Sequence, residues 1–177
     1  MVLPSWPGAS LRPLAVRNVA PVAVTLEEIT DANREAVLAL RVAPGQEMFV
    51  ADVARSLADA AEYPQARPWY RAIVADGEPV GFVMVSWNPE PAPPEIIQAY
   101  FLWRLLIDAR HQRHGYGAAA IGLVADLARA DGATEMLTSY VPGEGEPAGF
   151  YRRLGFEPTG DLDPSGEVIM RLTLPPA

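Results

Sequence analysis

The sequence contains no cysteine, which excludes disulfides, thiolate metal ligands and a cysteine nucleophile at once. Lysine is missing too: all 14 basic residues are arginine, so acetylation on a lysine of this chain itself is excluded. No apolar run approaches the roughly 20 residues that cross a bilayer, and a membrane partner is therefore not expected. The two histidines, His111 and His114, have no third ligand in view, so a metal is not implied. Positive charge is scarce, with 14 basic against 22 acidic residues and a formal charge of -8. Such a surface repels a phosphate backbone. Nucleic acid is not an expected partner, and a cationic ligand is the easier one to attract. The first 22 residues lack the basic start, apolar block and small-residue cleavage site of a secretory signal, so a cytoplasmic location is expected by default.

What is present is enough for one domain. A chain of 177 residues, half of them apolar and a fifth charged, can bury a proper core but would be cramped as two domains. Pro4, Pro7, Pro13 and Pro21 interrupt residues 1–21 too often for a helix or central strand, so this stretch reads as a loose tail before a domain spanning 22–174. Within that domain Val22 to Leu26 predicts a short strand. Thr30-Asp31-Ala32-Asn33 offers a capping hydroxyl or carboxylate for a helix running to about Arg41, and Ala51 to Ala61 a second helix. Trp69 to Ala75 and Val80 to Trp87 flank Asp76-Gly77, a dipeptide that tolerates positive φ, which predicts a β-hairpin. The proline-rich run Asn88 to Glu95 predicts a loop. A strand over Tyr100 to Ile107, a helix over Gly117 to Ala130, a strand over Thr134 to Val141 and a short helix over Ala148 to Leu154 follow. Strands over Phe156 to Gly160 and Val168 to Leu174 close the chain. In the long helix Ile121, Val124 and Leu127, or Leu123 and Leu127, are expected on the inward side. The order predicts a single α/β domain with a mixed sheet.

The most informative segment is the turn between Ile107 and that helix, Asp108-Ala109-Arg110-His111-Gln112-Arg113-His114-Gly115-Tyr116-Gly117. A helix start exposes unpaired N–H donors and a partial positive charge, and glycines let a ligand come close to the backbone. With Arg110 and Arg113 alongside, the turn suits a phosphate, and the two histidines fit as phosphate contacts. A lone Gly-x-Gly also occurs for steric reasons alone. Gly115-x-Gly117-x-x-Ala120 partly matches a dinucleotide-binding pattern, but seven residues separate Ile107 from Gly115, and the acid, Glu135, lies at the start of the next strand rather than its end.

Gln112-x-x-Gly115-x-Gly117 after an apolar strand, followed by Phe150-Tyr151-Arg152-Arg153-Leu154-Gly155-Phe156, resembles the GNAT superfamily of acyl-CoA N-acyltransferases. Within it, four stretches are similar to bacterial spermine/spermidine (diamine) acetyltransferases: 101–108, 139–143, 166–170, and Gln46 to Ala51 with Ser56-Leu57-Ala58. The resemblance covers roughly residues 22–174 and implies the single-domain GNAT fold, a mixed, mostly antiparallel central sheet flanked by helices. It implies acetyl-CoA as co-substrate, direct attack by an amine, and main-chain amides of Gln112, Arg113, His114, Gly115, Tyr116, Gly117 and Ala118 on the pyrophosphate. Leu105, Leu106 and Ile107 would pair with the pantetheine arm like an added strand, with an amide near Ile107 holding the oxyanion. Tyr151 takes the position of the tyrosine that protonates the departing thiolate. A thiol titrates near 8.5 and a phenol near 10, so a tyrosine beside the sulfur stays protonated at neutral pH. An aromatic pair in a short helix also fills a core, and Phe150 is expected to do only that.

The sequence departs from the pattern at Glu144 and Pro147, where many members have Asn and Ala, and at Trp103 and Arg104, where some polyamine enzymes carry adjacent acids. Trp103 and Arg104 are candidate substrate-binding residues: Arg104 either pairs with Asp108 on the same strand face or binds an acceptor carboxylate. For the general base the candidates are Glu28, Glu47, Glu135 and Glu144, with Glu47 favoured because it sits beside Gln46 and Phe49 of the diamine-family pattern. The expected function is acetyl transfer to a primary amine of a small molecule, polyamine-like or amino-acid-like. The alternatives are a protein N-terminus or antibiotic amine as acceptor, or a non-catalytic acyl-CoA sensor. Oligomeric state is open, a homodimer being common in the superfamily.

Overall fold

The computed structural model of the protein describes residues 23–89 and 100–175. The expected tail over 1–21 and all but the first two residues of the expected loop over 88–95 lie outside them. Seven strands form one sheet: β1 (Thr25–Glu27), β2 (Pro68–Ala75), β3 (Glu78–Trp87), β4 (Tyr100–Ile107), β5 (Glu135–Tyr140), β6 (Glu157–Leu162) and β7 (Val168–Thr173), in spatial order β1-β2-β3-β4-β5-β7-β6. Every neighbouring pair is antiparallel except β4 and β5. Four helices complete the domain: α1 (Arg34–Leu38), α2 (Val53–Glu62), α3 (Tyr116–Ala130) and α4 (Ala148–Arg153). This is the mixed, mostly antiparallel architecture expected, and no helix among the described residues is long and apolar enough to cross a membrane.

The two-residue alternation of a strand sorts the sheet into two cores. Ile73, Val83 and Val85 face α3 and α4, packing with Ala120, Ile121, Val124 and Tyr151. Their chain neighbours Ala72, Phe82 and Met84 face α1 and α2, packing with Val37, Leu40 and Val53. The hairpin forms as the sequence implies, with Ala75 paired to Glu78 and both turn residues left-handed (φ 51 at Asp76, φ 81 at Gly77).

Two expectations need correction. In α3 the inward stripe is Gly117, Ala120, Ile121, Val124, Ala125 and Ala128, whereas Leu127 is 45% exposed and Leu123 37%. At 100° per residue, 117, 121, 124 and 128 share a face, and the small alanines on it let the helix lie close to the sheet. Helix α1 stops at Leu38, short of Arg41, and no side chain of Thr30, Asp31 or Asn33 caps it; the Asn33 amide instead spans the Glu28 carbonyl and the Thr30 amide. The helix ends early because the chain is drawn to the end of β4: the Arg41 amide donates to Asp108 Oδ2 and the Ala109 amide to the Arg41 carbonyl.

Candidate active site

The site begins where two parallel strands part. β4 and β5 pair only over Tyr100–Leu102 and Met136–Thr138, yet β4 continues to Ile107 and β5 to Tyr140. Beyond Leu102 the β4 backbone therefore has no strand partner on its β5 side among the described residues. A register shift on the other side, where Met84 pairs with Arg104 and Val85 with Leu102, leaves Trp103 as the extra residue of a bulge. Bulges of this kind re-aim side chains beside functional sites.

A cavity of about 590 Å³ opens at the C-terminal end of β4. Its walls include Leu105 and Ile107, His111 and the turn from Gln112 to Ala118 apart from His114, Val42, Gln46, Phe49 and Val50 of the loop after α1, and Pro147, Phe150, Tyr151, Arg153 and Leu154. The turn is held open by left-handed residues, Arg113 at φ 64 and Gly115 at φ 85. Gly115 caps α3 without a side chain of its own, so the first amides of the helix are left to the cavity. Gly117 is there for space: a Cβ would come within 3.3 Å of Phe150 Cζ and 3.4 Å of Ile107 Cγ1. A cavity ending in free amides, with a strand edge along its wall, has the chemistry to take a diphosphate on an extended arm.

Several side chains brace the turn. Gln112 Nε2 donates to Gln46 Oε1 (2.7 Å) and to the Ile107 carbonyl (3.1 Å). Asp108, 4% exposed at its side chain, accepts from the Arg41 amide (3.0 Å), the Arg110 amide (3.0 Å) and Arg110 Nε (2.8 Å). Burial alone would raise its pKa, but the Arg110 side chain and the two amides outweigh it and hold the carboxyl at about 2. Arg110 is thus committed to Asp108, and its side chain does not line the cavity. Ring stacking fixes His114 against Tyr116, with its Nδ1 at the Gln112 and His111 carbonyls.

Tyr151 reaches the cavity from α4. Its ring, 8% exposed, packs edge-on against Phe150 and Phe156, and Thr138 on β5 is its polar neighbour. Thr138 Oγ1 in turn donates to the Leu102 carbonyl, at the last paired residues before the strands part. Burial raises the phenol pKa above 10; the Thr138 contact opposes this, and the charge of Glu167 adds to it.

A second cavity, about 560 Å³, shares Phe49 with the first and is lined by Tyr63, Phe101, Trp103, Arg104, Ser139, Asp163 and Glu167 among others. Arg104 does not pair with Asp108, which is engaged at the far end of the strand. It reaches Asp59 Oδ2 on α2 at 3.2 Å, and Arg55 holds the other oxygen at 2.8 Å. Burial lowers the Arg104 pKa, and the Asp59 charge offsets this in part. Of the remaining expected residues, Leu106 turns its side chain into the core beside α1 and α2, leaving only its backbone at the parted edge. Glu47 faces solvent, where Oε2 accepts the Gly45 amide at 2.7 Å, and it lines neither cavity. Glu28 is an exposed partner of Arg71, and Glu135 pairs with Arg171. Thr138, Ser139, Asp59 and Glu167 were not singled out for the site from sequence. The similarity of 139–143 and 166–170 to the diamine enzymes takes in Ser139 and Glu167, and no sequence signal points to Thr138 or Asp59. Among the described residues no group of three His, Asp or Glu could hold a metal.

A parted β4–β5 pair, the amides of the following helix start and a buried tyrosine thus meet at one fork. The chain belongs to the acetyltransferase (GNAT) family, whose profile matches residues 31–156. It is 29% identical over 150 residues, 84% of this chain and 97% of the relative, to the spermine/spermidine N(1)-acetyltransferase of Bacillus subtilis. Solved structures share the fold. The GNAT domain of S. lividans PAT aligns with a TM-score of 0.64 at 16% identity, covering 85% of this chain and 89% of that one. The PaiA N-acetyltransferase of Thermoplasma acidophilum, solved in complex with coenzyme A, aligns with a TM-score of 0.57 at 12% identity, covering 85% and 99%.

Proposed function

We propose that this acetyltransferase moves the acetyl group of acetyl-CoA to a primary amine of a small cationic molecule by direct attack. The fork between β4 and β5 carries the reading, because it joins a cavity suited to the donor, a buried phenol and a second, partly acidic cavity at one point. The amides between Gln112 and Ala118 would hold the pyrophosphate and the parted edge of β4 the pantetheine arm. Tyr151, kept protonated by burial, gives its proton to the thiolate as the C–S bond breaks. An amide at the parted edge stabilises the oxyanion.

The aromatic and acidic lining of the second cavity favours an amine with an apolar body, and the Bacillus relative acts on spermine and spermidine by its name. Because Arg104 is committed to Asp59, a carboxylate-bearing acceptor is the less favoured alternative. Free-thiol release measured with acetyl-CoA across polyamines, amino acids and aminoglycosides tests this. Turnover is expected with polyamines, and a fall of about a hundredfold in kcat for Tyr151→Phe with coenzyme A affinity kept. Tight coenzyme A binding with no amine-dependent thiol release would instead make the domain a sensor.

A further inference from the structure

The acceptor side poses a charge problem. At the strand position where adjacent acids would attract a cation, this chain carries Trp103 and Arg104. The Arg104 charge is met by Asp59, itself only 5% exposed, so the pair contributes little net charge to the cavity. What remains on the cavity wall are two carboxylates from the β6–β7 turn, Asp163 and Glu167. They differ in availability. Asp163 is engaged in its own turn, where Oδ1 accepts the Ser165 and Glu167 amides and the Ser165 hydroxyl. Glu167 accepts the Ser139 hydroxyl through Oε2 from the neighbouring strand β5, which fixes its direction.

Ser139 follows Thr138, and consecutive residues of a strand point to opposite faces. Tyr151 therefore meets β5 from one face at Thr138, and Glu167 meets it from the other at Ser139. The two groups straddle the strand at the point where β4 leaves it, and they are close enough for the Glu167 charge to raise the Tyr151 pKa. Trp103, Phe101 and Tyr63 line the same cavity and give it apolar surface for methylenes.

We infer that Glu167 is the acceptor-binding carboxylate: it holds the ammonium of the incoming amine and takes the protons that nitrogen sheds. The role rests on the acetyl-transfer reading above and assigns its missing base to the β6–β7 turn rather than to Glu47. The ammonium gives one proton to Glu167, which passes it to solvent, and the neutral nitrogen attacks the thioester carbonyl from the Glu167 face. The N–C bond forms while the carbonyl π pair moves to oxygen, and the nitrogen gives its second proton to Glu167. When the C–S bond breaks, the electron pair leaves with sulfur, which takes the Tyr151 proton on the other face. The proton then on Glu167 balances the one missing from Tyr151, and exchange with solvent restores both. Ser139 is a positioning residue.

The test uses the full chain with spermidine as acceptor. Coenzyme A affinity is measured by calorimetry in wild type, Glu167→Gln and Glu167→Asp, and kcat/KM for spermidine by thiol release. Loss of a charge-assisted hydrogen bond to a bound cation lowers kcat/KM by about tenfold to a hundredfold. The expected result is a fall of that size in Glu167→Gln, partial recovery in Glu167→Asp, and coenzyme A affinity unchanged in both. A Gln variant within about twofold of wild type on the same amine overturns the assignment. If the Gln variant does not fold, the Asp variant decides: it keeps the charge but draws it back by a methylene, and an unchanged kcat/KM overturns the role equally. Failure of the acetyl-transfer reading shows separately, as a wild-type protein that releases no thiol with any amine of the panel.

Discussion

Asp108 ties the end of β4 to the loop after α1 and to the first residues of the donor-binding turn, so its charge has both a stability and a kinetic consequence. A carboxyl whose pKa is 3.8 when exposed and about 2 in the fold stabilises the folded state by about 2 kcal/mol at neutral pH, at about 1.4 kcal/mol per tenfold change in proton affinity. Because the folded value is the lower one, the contribution is fully present above the exposed value and is lost as pH falls through the folded one. Asp108→Asn keeps an oxygen for one amide but removes the charge that Arg110 faces at 2.8 Å. Urea unfolding followed by tryptophan fluorescence should place the variant about 2 kcal/mol below wild type near pH 7. That gap should close by a similar amount as the pH is lowered to about 2. Because Asp108 holds the turn rather than the acceptor cavity, the variant should raise the KM for acetyl-CoA by several-fold and leave that for the amine near its original value. A stability gap that does not change with pH would refute the electrostatic account.

Gly81→Ala should cost about 2 kcal/mol, because its Cβ would sit 2.5 Å from the Leu106 carbonyl oxygen and 2.7 Å from Ile107 Cδ1; thermal unfolding should register a drop of roughly 4–8 °C. Gly115→Ala places a side chain at φ 85, a strain of about 1–2 kcal/mol. Most of it should appear as weaker coenzyme A binding in calorimetry, because the turn can relax by closing onto the cavity.

The features legible in the sequence are those decided by near neighbours. Asp76-Gly77 announces the hairpin because both residues adopt the positive φ that the turn needs. The donor turn is legible because strand, glycines and helix are contiguous. On α3 the apolar spacing places Ile121 and Val124 inward as observed, but leucine outranks alanine in hydrophobicity, so the pattern favours Leu123 and Leu127 over the small residues buried at 117, 120, 125 and 128. The acceptor side was illegible for another reason. Glu167 meets Ser139 across 28 residues and Arg104 meets Asp59 across 45, and no local pattern says which acid a given arginine will find. Glu47 drew attention by its neighbours in the chain, but its carboxylate turns back on Gly45.

The Arg104–Asp59 pair makes that point testable. Two groups taken from water stabilise a fold little in total, yet removing one strands the other, at a cost of about 3–5 kcal/mol when burial is deep. Asp59→Asn takes away the Arg104 guanidinium's ion-pair partner and leaves it only the weaker influence of Glu167; its Nε already lacks a hydrogen-bond partner. The same change adds a net positive charge to the wall that faces Glu167 and Asp163 and so offsets the carboxylates that would attract a cation. Stability and catalysis should therefore fall together: about 3 kcal/mol in urea unfolding, and at least a tenfold loss of kcat/KM for spermidine, partly reversed at high salt. Replacing both residues, Asp59→Leu with Arg104→Met, should recover most of the stability. The double variant should also bind the polycation better than Asp59→Asn does, since it removes the repulsion along with the pair. If instead the double variant is as unstable as the single one, and equally poor with spermidine, the pair acts by shape rather than charge, and neutralisation of Arg104 is not what admits a cation to this cavity.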